Sequence, residues 1–473
     1  MPRTRRLLVA RPRQAVTALA ASLALAAPAL HAACVDESRV EPQAPLAGGT
    51  QAHSDAATAP ASGTAAQPTD ARQQLGELVR DAIAQSNGIN AARTLVDAAL
   101  QDLEEARAGK LPQAALTGSM SPSLVDTGAL RGSQVQASAG ITLSQMLWDG
   151  GRADRVIDWR RQLTEVARLG HLSTQEQITL STVSLAFERS RYRMTAAIYG
   201  QNARKMGCLV EALETIVAAD RGRQSELVQA RKQLMQAELQ QAQSVSQARQ
   251  VEAKLRRVVG AGLPSIDGLS TVLLAVPDLA DVLTAAEGSV EIEQLGANAA
   301  AMREMARAVE AGTRPQVGWN VNGSAAVAGG SAVGTSGRHN GTLSAGVTLS
   351  VPLINKAVDH SVAAARKRAE AASLQRADAL EQRRQRITEI HEQTGNAFDR
   401  LRRISLVLRE SDRLRNFTLQ QWQQLGRRSL FDVIAAESEH YNLRVQYVNA
   451  LHDGQQMNAM LLSMGSGLRN WLP

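Results

Sequence analysis

The chain has 473 residues, of which 44% are hydrophobic but only 3% aromatic, with two cysteines and a formal net charge of +7. Two cysteines far apart, Cys34 and Cys208, exclude a disulfide framework and a thiolate metal cage. Five of the positive charges are Arg3, Arg5, Arg6, Arg11 and Arg13 in a segment without acids; the rest of the chain carries only +2, which argues against a nucleic-acid partner.

Residues 1–33 have the layout of a secretory signal: the arginines, the apolar run AVTALAASLALAAPAL, then a small-residue exit at Ala33. The chain is therefore expected to be exported. Cys34 follows the exit directly and is a candidate lipidation site, although His31 stands where a lipobox normally has an aliphatic residue. Residues 34–70 are rich in Ala, Gly, Ser, Thr, Pro and Gln and read as a disordered low-complexity linker. Beyond them no stretch approaches the roughly 18 to 20 apolar residues of a spanning helix, so any membrane insertion has to be by a barrel.

A helical pattern runs from Leu75 to Ala108 and is ended by Gly109 and Pro112. A strand from Gln113 to about Met120, a Gly/Ser/Pro loop and a second strand around Ile141 follow. On that second strand Val135, Ala137, Ala139, Ile141 and Leu143 alternate with Gln136, Ser138, Gly140, Thr142 and Ser144, and no charge interrupts the pattern. Two explanations stay open: a half-buried antiparallel sheet, or a membrane barrel with a polar lumen.

The segment AGITLSQMLWDGG at Ala139–Gly151 returns as AGVTLSVPLINKA at Ala345–Ala357, identical at six positions and 206 residues later. Pro112-Gln113 likewise returns as Pro315-Gln316. A chain that writes one unit twice must be read as a duplication before any fold is assigned. The second copy predicts a helix Leu283–Ala311, a strand Gln316 to about Ala326, the loop AGGSAVGTSGRHNG, and a strand through Val347. There Thr348 and Ser350 occupy the polar face, as Thr142 and Ser144 do in the first copy.

Each unit continues into a long helix, Gly151–Gly222 and Ala357–Gly426, roughly 70 residues and about 100 Å of rod, too long for one globular domain. The return segment after Gly222 carries a heptad seam from Leu227 through Ala230, Leu234 and Ala237 to Leu255, with many small residues. The reversals themselves repeat: Gly222-Arg223-Gln224-Ser225 and Gly426-Arg427-Arg428-Ser429, with Gly expected to make the turn and Ser to cap the next helix.

These landmarks together, from the signal peptide to the closing SLFDVIAAESEHYNLRVQYVNALHDGQQMNAMLLSMGSGL, resemble the TolC family of outer-membrane efflux and secretion ducts over about Leu75–Leu468. The resemblance implies a mainly α fold with a β-barrel. In it, three protomers each give four strands to one twelve-stranded barrel, continued by a long α-helical coiled-coil tunnel in the periplasm. It divides the chain into a first repeat at 71–262, an equatorial segment at 263–285 and a second repeat at 286–473. Thr142, Ser144, Thr348 and Ser350 would line the barrel lumen. Gly222, Arg223, Ser225, Gly426, Arg427 and Ser429 would form hairpin tips that dock a periplasmic adaptor, fed by an inner-membrane ABC or proton-driven pump.

Arg428 and Asp432 fall on the family's periplasmic gate, the acid contributing to a carboxylate ring. A second acid often found there is Ala435 in this chain, so the ring would hold three charges rather than six. The acid expected opposite the arginine falls on Val228, with Glu226 nearby. Asp432 can equally be an ordinary helix-N-terminal acid. The eight histidines are scattered and no HExxH, GxSxG or phosphate-binding loop is present, so no catalytic residue, metal or cofactor is expected. The alternative to a passive outer-membrane channel is an exported coiled-coil adhesin.

Overall fold

The computed structural model describes residues 71–126, 131–263, 268–330, 334–425 and 428–473. The signal segment, the linker and Cys34 lie outside the described residues, as do Gly426 and Arg427. The elements in order are α1 (Ala71–Gln85), α2 (Asn87–Ala108), β1 (Gln113–Asp126), β2 (Arg131–Trp148), α3 (Arg152–Ala219) and α4 (Gln224–Val259). After these come α5 (Leu279–Glu287), α6 (Val290–Ala311), β3 (Gln316–Gly330), β4 (Gly334–Ser350), α7 (Lys356–Leu425), α8 (Leu430–Met464) and the single turn α9 (Leu468–Trp471). No helix among the described residues is long and apolar enough to cross a membrane.

Three boundaries differ from the sequence expectation. The helix Leu75–Ala108 is two helices, because Ser86 leaves the helical region and its hydroxyl accepts from Ile89 N–H, capping α2. The helix Leu283–Ala311 is likewise split, with α5 and α6 meeting at Gly288 and Ser289. Both supposed strand-to-strand loops are mostly strand: β1 continues through Pro122 to Asp126, and β3 and β4 approach to Gly330 and Gly334. Proline is tolerated because β1 is an edge strand, where one N–H has no ladder partner to lose.

The strands form one antiparallel sheet in the order β1-β2-β3-β4. Its central pairing, β2 with β3, joins the two repeats, with Ala139 opposite Ala325 and Ile141 opposite Gly323.

The chain divides into two compact units. The first comprises 71–193, 246–405 and 446–473 and holds the sheet. Its main core brings Leu75, Leu78 and Val79 of α1 onto Phe187 of α3, Leu255 of α4 and Leu269 of the 263–278 connection. A second cluster joins Val282 and Ala286 of α5 to Ile387 and Ile390 of α7 and Leu461 of α8. The connection is held by two buried amides of α8. Gln455 Nε2 donates to the Leu269 and Val272 carbonyls, both at 2.7 Å, and Asn458 Nδ2 donates to those of Leu273 and Ala275, both at 2.8 Å. Asn458 thereby fixes Leu273 in a left-handed conformation, φ +56°, that a branched side chain disfavours.

The second unit, 194–245 with 406–445, contains both hairpin reversals. Its core is Val210 and Leu213 of α3, Leu227 and Ala230 of α4, and Leu430, Val433 and Ile434 of α8. Leu227, Ala230 and Ala237 are buried, so this part of the heptad seam faces inward as its spacing requires.

Candidate functional site

Three features carry the chemistry: the two-faced sheet, the elbows between strand and helix, and the hairpin turns.

Residues opposite one another in an antiparallel ladder share a face, so the register sorts the sheet into rungs. One rung reads Leu116, Ile141, Gly323, Leu343; the next on the other face reads Ala115, Thr142, Asn322, Ser344. Thr142, Ser144, Thr348 and Ser350 all fall on this second, polar face. Along β2 the apolar Ile141 and Leu143 are exposed while Thr142 and Ser144 are half-buried. Leu116 (82%), Leu343 (81%) and Val347 (72%) are far more exposed than apolar side chains in contact with a folded core. Polar side chains pair across strands, as Ser119 with Ser138 at 2.7 Å and Ser324 with Thr342 at 2.9 Å. At one end of the sheet Trp148 is exposed, and Trp319 Nε1 donates to Gln145 Oε1 at 3.2 Å.

The first elbow turns on Gly150 (φ +68°) and Gly151 (φ +87°). Asp149 caps the helix that follows, accepting from Gly151 N–H at 3.0 Å and Ala153 N–H at 2.6 Å. Asn355 stands 206 residues later and accepts from Val358 N–H, repeating the device. Arg314 closes the elbow, its guanidinium donating to the Gly150 carbonyl at 2.8 Å. A Cβ on Gly150 would lie 2.5 Å from Arg314 Cβ, whereas one on Gly151 would meet nothing within 4 Å. Gly151→Ala is therefore expected to cost only the left-handed backbone term of about 1–2 kcal/mol, and Gly150→Ala distinctly more. Thermal denaturation of the two variants checks this; equal midpoints would mean that Arg314 yields freely.

At the first hairpin Asp220, not Ser225, does the capping. Its carboxylate accepts from Gly222 N–H at 3.0 Å over a 3₁₀ turn at Arg221–Arg223, while Ser225 lies exposed inside the first turn of α4. Gly222 is not left-handed, so the reversal does not depend on glycine's freedom there. Arg223 is exposed in the same turn.

At the second hairpin Ser429 Oγ accepts from Phe431 N–H at 3.1 Å, and Asp432 Oδ2 accepts from Ser429 N–H at 3.2 Å, a reciprocal capping box. Arg428 lies 3.9 Å from the same carboxylate and donates to Gln421 Oε1 at 3.2 Å. The structure thus joins Arg428 to Asp432 within one hairpin. Val228 is exposed, and Glu226 Oε2 is buried with no hydrogen-bond partner.

Sequence reasoning missed a buried polar cluster in the hairpin unit. Glu437 and His440 occupy seam positions of α8 and are 1% and 3% exposed. Arg415 of α7 donates to Asp412 at 2.8 Å and lies 3.8 Å from Glu437. Burial, then the positive charges of Arg415 and Arg444, push the His440 imidazole down to about 4; Asp412 opposes them. The available signal was a Glu and a His three residues apart on an otherwise apolar seam.

No family model matches the chain, and no curated protein does either. Solved structures do. CusC is 17% identical with a TM-score of 0.71, over 85% of this chain and 96% of its own. The outer-membrane protein VceC of Vibrio cholerae is 16% identical with a TM-score of 0.69, over 85% and 99%. The CmeC outer-membrane channel of Campylobacter jejuni is 14% identical with a TM-score of 0.69, over 84% and 86%. These neighbours are channel-forming and outer-membrane proteins. The chain has their fold, helical hairpins carrying a four-stranded portion of a barrel, as the TolC resemblance implied.

Proposed function

We propose that the protein is the outer-membrane channel of a tripartite efflux or type I secretion system, conducting cargo passively from an inner-membrane pump across the periplasm and outer membrane. The observation that carries this is an open sheet with two unpaired edges and an exposed apolar face whose central rungs hold no charge. Long exposed edges are an association hazard unless paired, and four strands do not close a barrel. Since β1 and β4 run in opposite directions, the β4 edge of one copy can pair antiparallel with β1 of the next. Three copies give twelve strands with no edge left, the apolar face on lipid and Thr142, Ser144, Thr348 and Ser350 on the lumen.

Exposed apolar stripes in the hairpin unit support the same homotrimer: Val228, Met235 and Leu239 on α4, and Leu406, Leu414 and Phe417 on α7. Copies packed side by side would cover them. In this assembly the reversals at Asp220–Gln224 and 426–429 form the periplasmic mouth, where an adaptor docks, and the Arg428–Asp432 pair serves the gate while capping α8. The pump is of the ABC or the proton-driven type.

An exported adhesin needs neither the strands nor their apolar face, and nothing favours it. Purified protein in a planar bilayer should give discrete conductance steps and migrate as a trimer in mild detergent. A monomer without conductance would refute the proposal.

A further inference from the structure

The two strand hairpins are copies of one another down to their register. In the first, Gln113 faces Ser144 and Thr117 faces Gly140; in the second, the same positions are Gln316 facing Ser350 and Asn320 facing Gly346, an offset of 203 on one strand and 206 on the other. The inner junction, β2 with β3, therefore has a counterpart in β4 with the β1 of another chain. The free end of β4 is shaped for it. Gln145–Trp148 lie beyond the start of β1 and are held as strand by β3 alone, through Trp319, Gly318 and Val317. The equivalent residues, Val351 to Ile354, have no such neighbour within the chain, and β4 stops at Ser350. Leu353 and Ile354 are 88% and 90% exposed there, where their counterparts Leu147 and Trp148 are 57% and 51% exposed.

We infer that β4 of one protomer pairs with β1 of the next in the register of the β2–β3 junction, and that this pairing carries β4 on as strand through Ile354. This rests on the trimeric-barrel reading above. Thr142 faces Asn322, so Thr348 faces Ser119 of the next copy; Ile141 faces Gly323, so Val347 faces Met120 of the next copy; Gln145 faces Trp319, so Val351 faces Leu116 of the next copy. Polar residues thereby meet polar ones and apolar residues apolar ones. A slip of one residue would exchange the faces, whereas a slip of two would keep them. Between registers two apart, closure decides. Strand tilt and stagger are linked in a closed barrel, so equal stagger at every junction lets six equivalent hairpins tilt alike, and only the duplicated register supplies it.

The test is disulfide trapping of full-length protein in the outer-membrane fraction, with Thr348→Cys and Ser119→Cys combined and the single variants controlling for Cys34 and Cys208. Directly opposed residues have Cβ atoms about 4.5–5.5 Å apart and diagonal ones about 7–8 Å, and a disulfide needs about 4 Å, so the partner that oxidises reads the register. Mild oxidation should give mostly covalent trimer on a denaturing, non-reducing gel. Thr348→Cys with Thr117→Cys or with Ser121→Cys, two residues to either side, should give severalfold less. Thr142→Cys with Asn322→Cys, the same pair at the inner junction, closes within one chain and sets the attainable yield. More covalent trimer from the Thr117 or Ser121 pair would overturn the inference, as would a trimer in which none of the three pairs links while the inner-junction control oxidises. If that control does not oxidise, Val347→Cys with Met120→Cys, judged against Ile141→Cys with Gly323→Cys, puts the same question on the apolar face, where the pairs are of the other hydrogen-bonding kind. A wild type that is monomeric in mild detergent would instead sink the trimeric reading itself.

Discussion

Leu343→Arg should abolish outer-membrane assembly, while Thr342→Arg, one residue away, should leave it largely intact. Leu343 is 81% exposed on the apolar face, opposite Gly323, whereas Thr342 is on the polar face, bonded to Ser324. Depth sets the size of the effect. Trp319 pairs with Val347, and in the proposed barrel it forms, with Trp148, an interfacial aromatic belt at one end of the sheet. Leu343 lies four residues beyond Val347, about 13 Å along the strand and so close to the middle of an apolar band about 25 Å tall. Arginine there costs about 2–4 kcal/mol per copy and near the belt about 0–1, so Val347→Arg should be the milder lesion. Recovery of heat-modifiable trimer from the outer-membrane fraction reads all three variants. Equal yields for Leu343→Arg and Thr342→Arg would mean that the two faces are transposed.

The stability of the assembled protein should fall steeply in acid, and His440→Gln should remove much of that fall. His440 has its constant lowered from the ordinary 6.5 to about 4 by burial and by Arg415 and Arg444. The folded state therefore binds fewer protons than the unfolded state between these values. The contribution is complete above pH 6.5 and is lost as the pH falls towards 4. Its upper bound, from the full displacement of the constant, is about 3 kcal/mol per protomer. Carboxylates titrate in the same range, but they do so in both proteins. The difference in thermal midpoint between wild type and His440→Gln at pH 7.5, 5.5 and 4.0 isolates the imidazole. Parallel curves would show that His440 is not held neutral by its surroundings.

The hairpin turns show how local chemistry and fold divide the work. Ser429 caps as its position after an arginine pair and before an apolar run predicts, because capping is settled within three residues. Ser225 does not, since Asp220 is in range of the turn first and its carboxylate is the stronger acceptor. Arg428 was expected to meet an acid of the first hairpin; that it instead lies near Asp432, across the start of α8, and that Asp432 also accepts from Ser429 N–H, was not legible. The buried His440 was invisible because a titratable residue on a helix acquires its environment from the helix packed against it.

By itself the sequence determined the duplication, the alternation of uncharged strands, the length of the hairpin helices and hence the class of fold. All of these are written in short-range periodicities of 2 and 3.6 residues or in exact repetition. The tertiary structure decided which strands pair across the repeats and how far they run through Gly, Ser and Pro. It also decided that Gln455 and Asn458 clamp the equatorial connection and that Arg314 locks the Gly150 elbow. The cross-repeat pairing, the amide clamp and the elbow each join groups more than 150 residues apart in the chain, whose meeting no local pattern encodes. Ladder pairing satisfies backbone groups whatever the side chains are, so strand length followed the partner strand rather than the propensity of its own residues.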